Sequence, residues 1–346
     1  MNRRHFVHFK VMSQRKHMTT DWPAKSLCAI ALFVLSALGA NCPAAETTAL
    51  VHHAVPRLDG TEISYYLAPN AGGSKQPILL ILHGSDCNSI ANHPRIRRFE
   101  RVATDAVALY IEKYGITTEL PWSESGDRND CPGVYLERNT LNQRALDILR
   151  VVGELRHSAH WWNRQLFIVG GSEGAIVAES LAPLVPETQG LIIFGFGGRW
   201  FENDVLHSVK VSLSADGESS EAQAGHLETV RGLLAGALSD RDPAKNFWGY
   251  SHAWWASMLE FDQLEALRRV RVPVLALQGS EDEDVDVTGA REMIRELQSK
   301  GSSITFLEYD GLNHGFRDAE NQSRLDGVID DMAKWLGDVR HHRLGR

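Results

Sequence analysis

Short apolar runs alternate with longer segments of three- and four-residue apolar spacing along most of the chain. Residues 50–58 and 63–68, separated by Asp59-Gly60, are two strand-like runs joined by a turn dipeptide and predict an opening hairpin. Residues 78–82 (ILLIL), 106–110, 165–169, 191–196, 273–277 and 304–309 are nearly continuous apolar runs, the pattern of strands buried on both faces. Residues 95–104, 174–181, 288–300 and 323–339 read as helices between them. In 141–155, Leu141, Ala145, Ile148, Leu149, Val152 and Leu155 give a further helix one apolar face. Strand and helix in alternation predict an α/β fold with a mostly parallel central sheet and helices on both faces.

Two stretches break the alternation. Residues 119–139 are polar and carry Pro121, Gly126, Pro132 and Gly133, which predicts a long loop of the kind that usually serves function. Residues 199–271 separate the sixth strand from the next and contain helix-like stretches at 226–238 and 254–267. They predict a helical cap inserted after the sixth strand. With 346 residues, 43% of them hydrophobic, the chain has the apolar material for one large core.

The first 45 residues have a different character. A 14-residue apolar run, 27–40 (LCAIALFVLSALGA), lies behind six Lys/Arg and ahead of Asn41-Cys42-Pro43-Ala44-Ala45. It is too short to span a bilayer of ~30 Å as a helix and has the parts of a secretory leader. Residues 1–45 are therefore expected to be a signal peptide and 46–346 one exported domain, periplasmic or secreted, with no membrane span after processing. The formal charge of −8 conceals this leader: taking its six bases and one acid from totals of 36 and 44 leaves 30 against 43, a net −13. An acidic body without a basic stripe argues against a nucleic-acid partner. Cys28 and Cys42 belong to the leader or its edge, so Cys87 and Cys131 remain, either joined in an oxidising compartment or left as two thiols.

Residues 166–175 read as a strand, the turn Gly170-Gly171-Ser172-Glu173-Gly174, and a helix start. Such a turn holds its serine in a strained conformation above the sheet edge, and glycines on either side remove the clashes a Cβ would make. A serine hydroxyl is a weak nucleophile and needs an imidazole to take its proton and a carboxylate to orient that imidazole. Both follow late strands here. The strand at 273–277 runs into Gly279-Ser280-Glu281-Asp282-Glu283-Asp284-Val285, and that at 304–309 runs into Asp310-Gly311-Leu312-Asn313-His314-Gly315. Ser172 is the expected nucleophile, His314 its base, and Asp282 the acid by the spacing from Gly279 to Val285, with Asp284 the alternative. The oxyanion of acyl transfer needs preorganised N–H donors. The N–H of Glu173 is one candidate, and Ser85, or else Asp86, in the His83–Cys87 segment after the third strand is the other.

On these motifs the chain resembles the α/β-hydrolase superfamily, nearest its esterase and prolyl-oligopeptidase/dienelactone-hydrolase branches, over about residues 50–339. The resemblance implies hydrolysis through an acyl-enzyme with no cofactor and no metal, on a small-molecule ester or thioester. A short peptide is the alternative substrate. The peptidase branch usually carries a large accessory domain, which makes the ester the first expectation, and a non-catalytic binding protein of this fold would usually lack a catalytic position. The glutamate after Ser172 departs from the familiar patterns. Tyr250, Trp254 and Trp255, in the aromatic stretch 247–255, either wall a substrate pocket or fasten the cap to the body. Trp122, Arg128, Asp130 and Tyr135 fall in the long loop at the same rim, where contact with substrate and plain solvation are both open.

Overall fold

Val51–Pro56 (β1) and Glu62–Leu67 (β2) pair antiparallel with Val55 opposite Ile63, and Gly60, at φ 84°, turns the chain between them. The computed structural model describes residues 49–69, 75–124 and 128–344; the expected signal peptide, with Cys28 and Cys42, lies outside them. Gln76–Leu82 (β3), Val107–Ile111 (β4), Gly133–Arg138 (α1), Leu141–Ser158 (α2), Trp162–Gly171 (β5), Glu173–Leu181 (α3) and Thr188–Phe194 (β6) follow. Next come Phe201–Ala215 (α4), Ser220–Asp240 (α5), the two-residue strands Asn246–Phe247 (β7) and Tyr250–Ser251 (β8), His252–Leu259 (α6) and Gln263–Arg269 (α7). Val274–Gly279 (β9), Val287–Ser299 (α8), Ile304–Tyr309 (β10) and Leu325–Leu344 (α9) complete the order.

The main sheet has eight strands in the order β1-β2-β4-β3-β5-β6-β9-β10, parallel from β4 onward. Alternation along β3 shows why it reads as one apolar run. Ile78, Leu80 and Leu82 enter a core shared with α2, α3, α8 and the inserted helices, whereas Leu79 and Ile81 enter a second core beneath the 3₁₀ segment Ile96–Ala103 and α9. Val205, Leu234, Trp254 and Leu264 join the first of these cores, so the inserted helices are continuous with the body. Among the described residues no helix is long and apolar enough to cross a membrane.

Several elements differ from expectation. Residues 95–104 form a 3₁₀ segment instead of an α-helix, and the long loop contains α1. The inserted segment begins with α4, which the sequence pattern did not mark. The helix expected at 254–267 is two helices, because the Asp262 side chain accepts from Glu265 N–H and caps a new start.

Candidate active site

In an open parallel sheet the loops after the strands gather at one edge, and the candidate residues all lie there. β5 ends in Gly170-Gly171, and Ser172 turns the chain into α3 with φ 56° and ψ −129°. Such backbone costs a non-glycine residue on the order of 1–3 kcal/mol and persists only where its surroundings impose it. A Cβ on Gly170 would stand 2.2 Å from the Gly174 carbonyl oxygen, one on Gly171 2.3 Å from the Phe194 ring, and one on Gly174 2.4 Å from the Leu82 carbonyl oxygen. The three glycines thus let β3, β5 and α3 close on Ser172, whose N–H donates to Phe194 O at 3.0 Å.

His314 lies in the loop behind β10. Its Nδ1 is 2.8 Å from Oδ2 of Asp282, which also accepts from Gln278 Nε2 at 2.7 Å. The other oxygen of Asp282 accepts from the N–H groups of Asp284 and Val285, and the residue is only 4% exposed. Among the acids crowding this loop, the structure places Asp282 against His314, while Asp284 gives its backbone to Asp282. With Nδ1 turned to the carboxylate, Nε2 is the ring nitrogen left for the cavity of about 260 Å³ that Ser172 and His314 both line. Burial would lower the His314 pKa, but the charge and hydrogen bond of Asp282, with Asp284 and Asp204 behind it, push it up to about 9.

Behind β3 the segment His83–Cys87 is held by side chains at each successive carbonyl. Arg144 Nη2 donates to His83 O at 3.2 Å, Lys113 Nζ to Gly84 O and Asp86 O, the Tyr250 hydroxyl to Ser85 O, and the Tyr135 hydroxyl to Asp86 O at 3.3 Å. A trans peptide points its N–H opposite its C=O. Holding the carbonyls of Gly84 and Ser85 therefore sets the direction of the Ser85 and Asp86 N–H groups. The glutamate after Ser172 has a partner in the same set: Arg144 Nη1 lies 2.5 Å from Glu173 Oε1, and both are buried. Lys113 is 2% exposed, and burial draws its pKa down to about 8 despite the opposing Glu173 carboxylate.

Lys113 and Arg144 were not among the residues the sequence singled out. Arg144 could have been, since it stands three residues after Leu141 and four before Ile148, within the apolar stripe of α2. Lys113 carries no such mark.

Cys87 and Cys131 form a disulfide with Cα atoms 5.8 Å apart. Asn88 and Ser123 exchange two hydrogen bonds of 2.9 Å, and Arg128 Nη1 donates to Asn88 Oδ1 at 2.7 Å, so the long loop is fastened beside the His83–Cys87 segment. Trp122 packs against His93, with ring centroids 4.6 Å apart, and Arg128 also pairs with Asp130. With the cysteines 44 positions apart in sequence, the chain-entropy account gives the bridge roughly 4 kcal/mol. Cys131→Ser is expected to lower unfolding stability by up to that amount and kcat more than it raises KM; unchanged denaturation and kinetics would contradict this.

The expectation that Trp254 and Trp255 wall a substrate pocket is corrected. They are 2% and 0% exposed, stack with Tyr250 and Phe247 respectively, and fasten the inserted helices to the core. Neither lines the cavity beside Ser172, and Tyr250 reaches the site through its hydroxyl on Ser85 O.

A sequence model of the prolyl oligopeptidase family matches residues 243–340. The acylamino-acid-releasing enzyme of Rattus norvegicus is 23% identical over 218 residues, 61% of this chain but 25% of that enzyme, so the chain spans about a quarter of that relative. Among solved structures, a thermostable carboxyl esterase from Bacillus coagulans superposes with TM-score 0.57 at 16% identity, covering 85% of this chain and 99% of the esterase. The acylaminoacyl peptidase of Pyrococcus horikoshii gives 0.56 at 12% identity, over 83% of this chain and 41% of the peptidase. The fold is that of the α/β-hydrolases.

Proposed function

We propose that the protein cleaves a carboxylic ester or thioester through an acyl-enzyme on Ser172. The observation that carries this is the Asp282–His314 pair, 2.8 Å apart, beside the cavity it shares with the strained Ser172. In this reading Ser172 Oγ attacks the carbonyl carbon while His314 Nε2 takes its proton, and Asp282 holds the ring and balances the imidazolium. The oxyanion is met by the N–H groups of Glu173, first in α3 and so without a partner inside the helix, and of Ser85. His314 then protonates the departing oxygen or sulfur, and water releases the acyl group by the same route. Helices α4 to α7 serve as the cap, with Tyr250 joining them to the oxyanion segment.

Hydrolysis of a peptide or an acylated amino-acid amide is the second reading, favoured by the family match at 243–340 and by the relative that releases acylamino acids. Rates on nitrophenyl esters of graded acyl length and on acyl-amino-acid anilides, with Ser172→Ala as blank, separate the two. Faster ester turnover supports the first reading, and turnover of anilides alone replaces it with the second.

A general base must be neutral to accept a proton, so kcat/KM is expected to climb through the neutral range, reach half its limit near pH 9 and level off above that. Asp284→Asn removes a negative charge that favours the imidazolium and should move this limb to lower pH. An acid limb at the ordinary imidazole value, indifferent to Asp284→Asn, would contradict this assignment.

We infer, too, that the enzyme is exported, which the Cys87–Cys131 bridge supports because such bonds persist in oxidising compartments. Intact mass of the recovered protein should show a start near residue 41 or 45; retention of residues 1–40 would overturn the inference.

A further inference from the structure

The cavity beside Ser172 has an apolar wall, in which Phe99 stacks on Phe194 at 5.4 Å and Phe316 tilts against Phe194 at 5.9 Å. Two arginines line it as well, the exposed Arg95 and the half-buried Arg317. Among the described residues no aspartate or glutamate does. In a body whose acids outnumber its bases this is a local inversion of charge.

The neighbouring arginines sharpen the contrast. Arg97 pairs with Glu100, Arg98 and Arg101 with Asp326, and Arg324 with Asp318. The two that line the cavity are the ones with no carboxylate partner among the described residues; Arg317 Nη1 donates instead to the Asn321 carbonyl at 2.8 Å. Guanidinium groups are forked donors suited to a carboxylate, and beside apolar walls they would meet one only at the end of an apolar arm.

We propose that the cavity takes a substrate arm that is apolar along its length and ends in a carboxylate, with Arg95 and Arg317 as its counter-ions. This rests on Ser172 being the nucleophile, because the cavity is the space beside that residue. It makes the enzyme selective for half-esters or related derivatives of dicarboxylic or aryl-carboxylic acids over their neutral counterparts.

Two measurements test it, one of them independent of turnover. Calorimetry compares the binding of phenylbutyrate and of the neutral phenylbutanol to Ser172→Ala protein, and steady-state kinetics compare the specificity constants of the wild type for nitrophenyl hydrogen glutarate and for its methyl ester. The anionic member should be favoured by about 10- to 100-fold in each pair, the range of a charge-assisted hydrogen bond. Arg95→Gln with Arg317→Gln should bring both ratios toward one, Arg317→Lys should keep part of the preference, and Arg98→Gln, outside the cavity, should leave the ratios where they were. Added salt should shrink them. Equal binding of the two phenyl compounds would overturn the proposal whatever the esters do. Failure to hydrolyse either ester, with the binding preference intact, would instead count against the ester reading.

Discussion

Replacing Ser172 or His314 by alanine is expected to lower kcat by on the order of 10⁴- to 10⁶-fold, and replacing both should cost little more than either alone. The two act in one event. Without the imidazole the hydroxyl keeps its proton, and without the hydroxyl the imidazole has no nucleophile to activate. Asp282→Asn should cost about 10⁴-fold, because the amide cannot hold the imidazole tautomer that the 2.8 Å contact with Nδ1 imposes. Asp284→Asn should act chiefly through the pH profile. Steady-state kinetics of the single and double variants check this: losses that multiply would mean two independent contributions, and a severe Asp284→Asn beside a mild Asp282→Asn would move the acid by two residues.

A second large loss is expected at Lys113. Its ammonium donates to the carbonyls of Gly84 and Asp86, so Lys113→Met releases two peptide planes, of which the first carries the candidate oxyanion donor, the Ser85 N–H. Loss of one such donor costs about 10²- to 10³-fold in kcat, and a loss of that size is expected with KM little changed. Lys113 is buried, and its removal also leaves the Gly84 carbonyl without this partner, which threatens folding itself. Tyr250→Phe supplies the second measurement. It deletes one hydroxyl from Ser85 O, leaves the ring stacked on Trp254, and should lower kcat by a smaller factor with KM again held. A rise in KM at constant kcat in both variants would make these contacts part of substrate binding instead of positioning.

How much of this could be read from the chain follows from the physics of each residue. The inner parallel strands were legible because both faces of the sheet are covered there, which forces continuous apolar runs such as ILLIL at 78–82. Ser172, Asp282 and His314 stood out because each is framed by glycines or sits at a set distance past a strand, where local backbone demands leave a mark. The clamp on His83–Cys87 was not legible. Lys113 follows β4 in a polar stretch that reads as any strand exit, and only the sheet order, with β3 beside β4, brings its amine to the neighbouring loop. Tyr250 was singled out for its ring, whereas its contact with the site is the hydroxyl. Trp254 and Trp255 misled for a related reason, since large rings serve a core and a pocket equally well until burial is known. The helix break before α7 depended on one side chain, Asp262, capping a helix that apolar spacing alone would have run together.

The proposed chemistry rests on attack by Ser172 at the substrate carbonyl, a step that covalent capture reads without the substrate being known. Brief exposure to a fluorophosphonate, followed by peptide mapping, should place one adduct on the peptide carrying Ser172. The adduct should be absent from Ser172→Ala and His314→Ala protein. Hydrolysis that persists in Ser172→Ala, or an adduct on any other residue of the wild type accompanying loss of activity, would rule out Ser172 as the nucleophile.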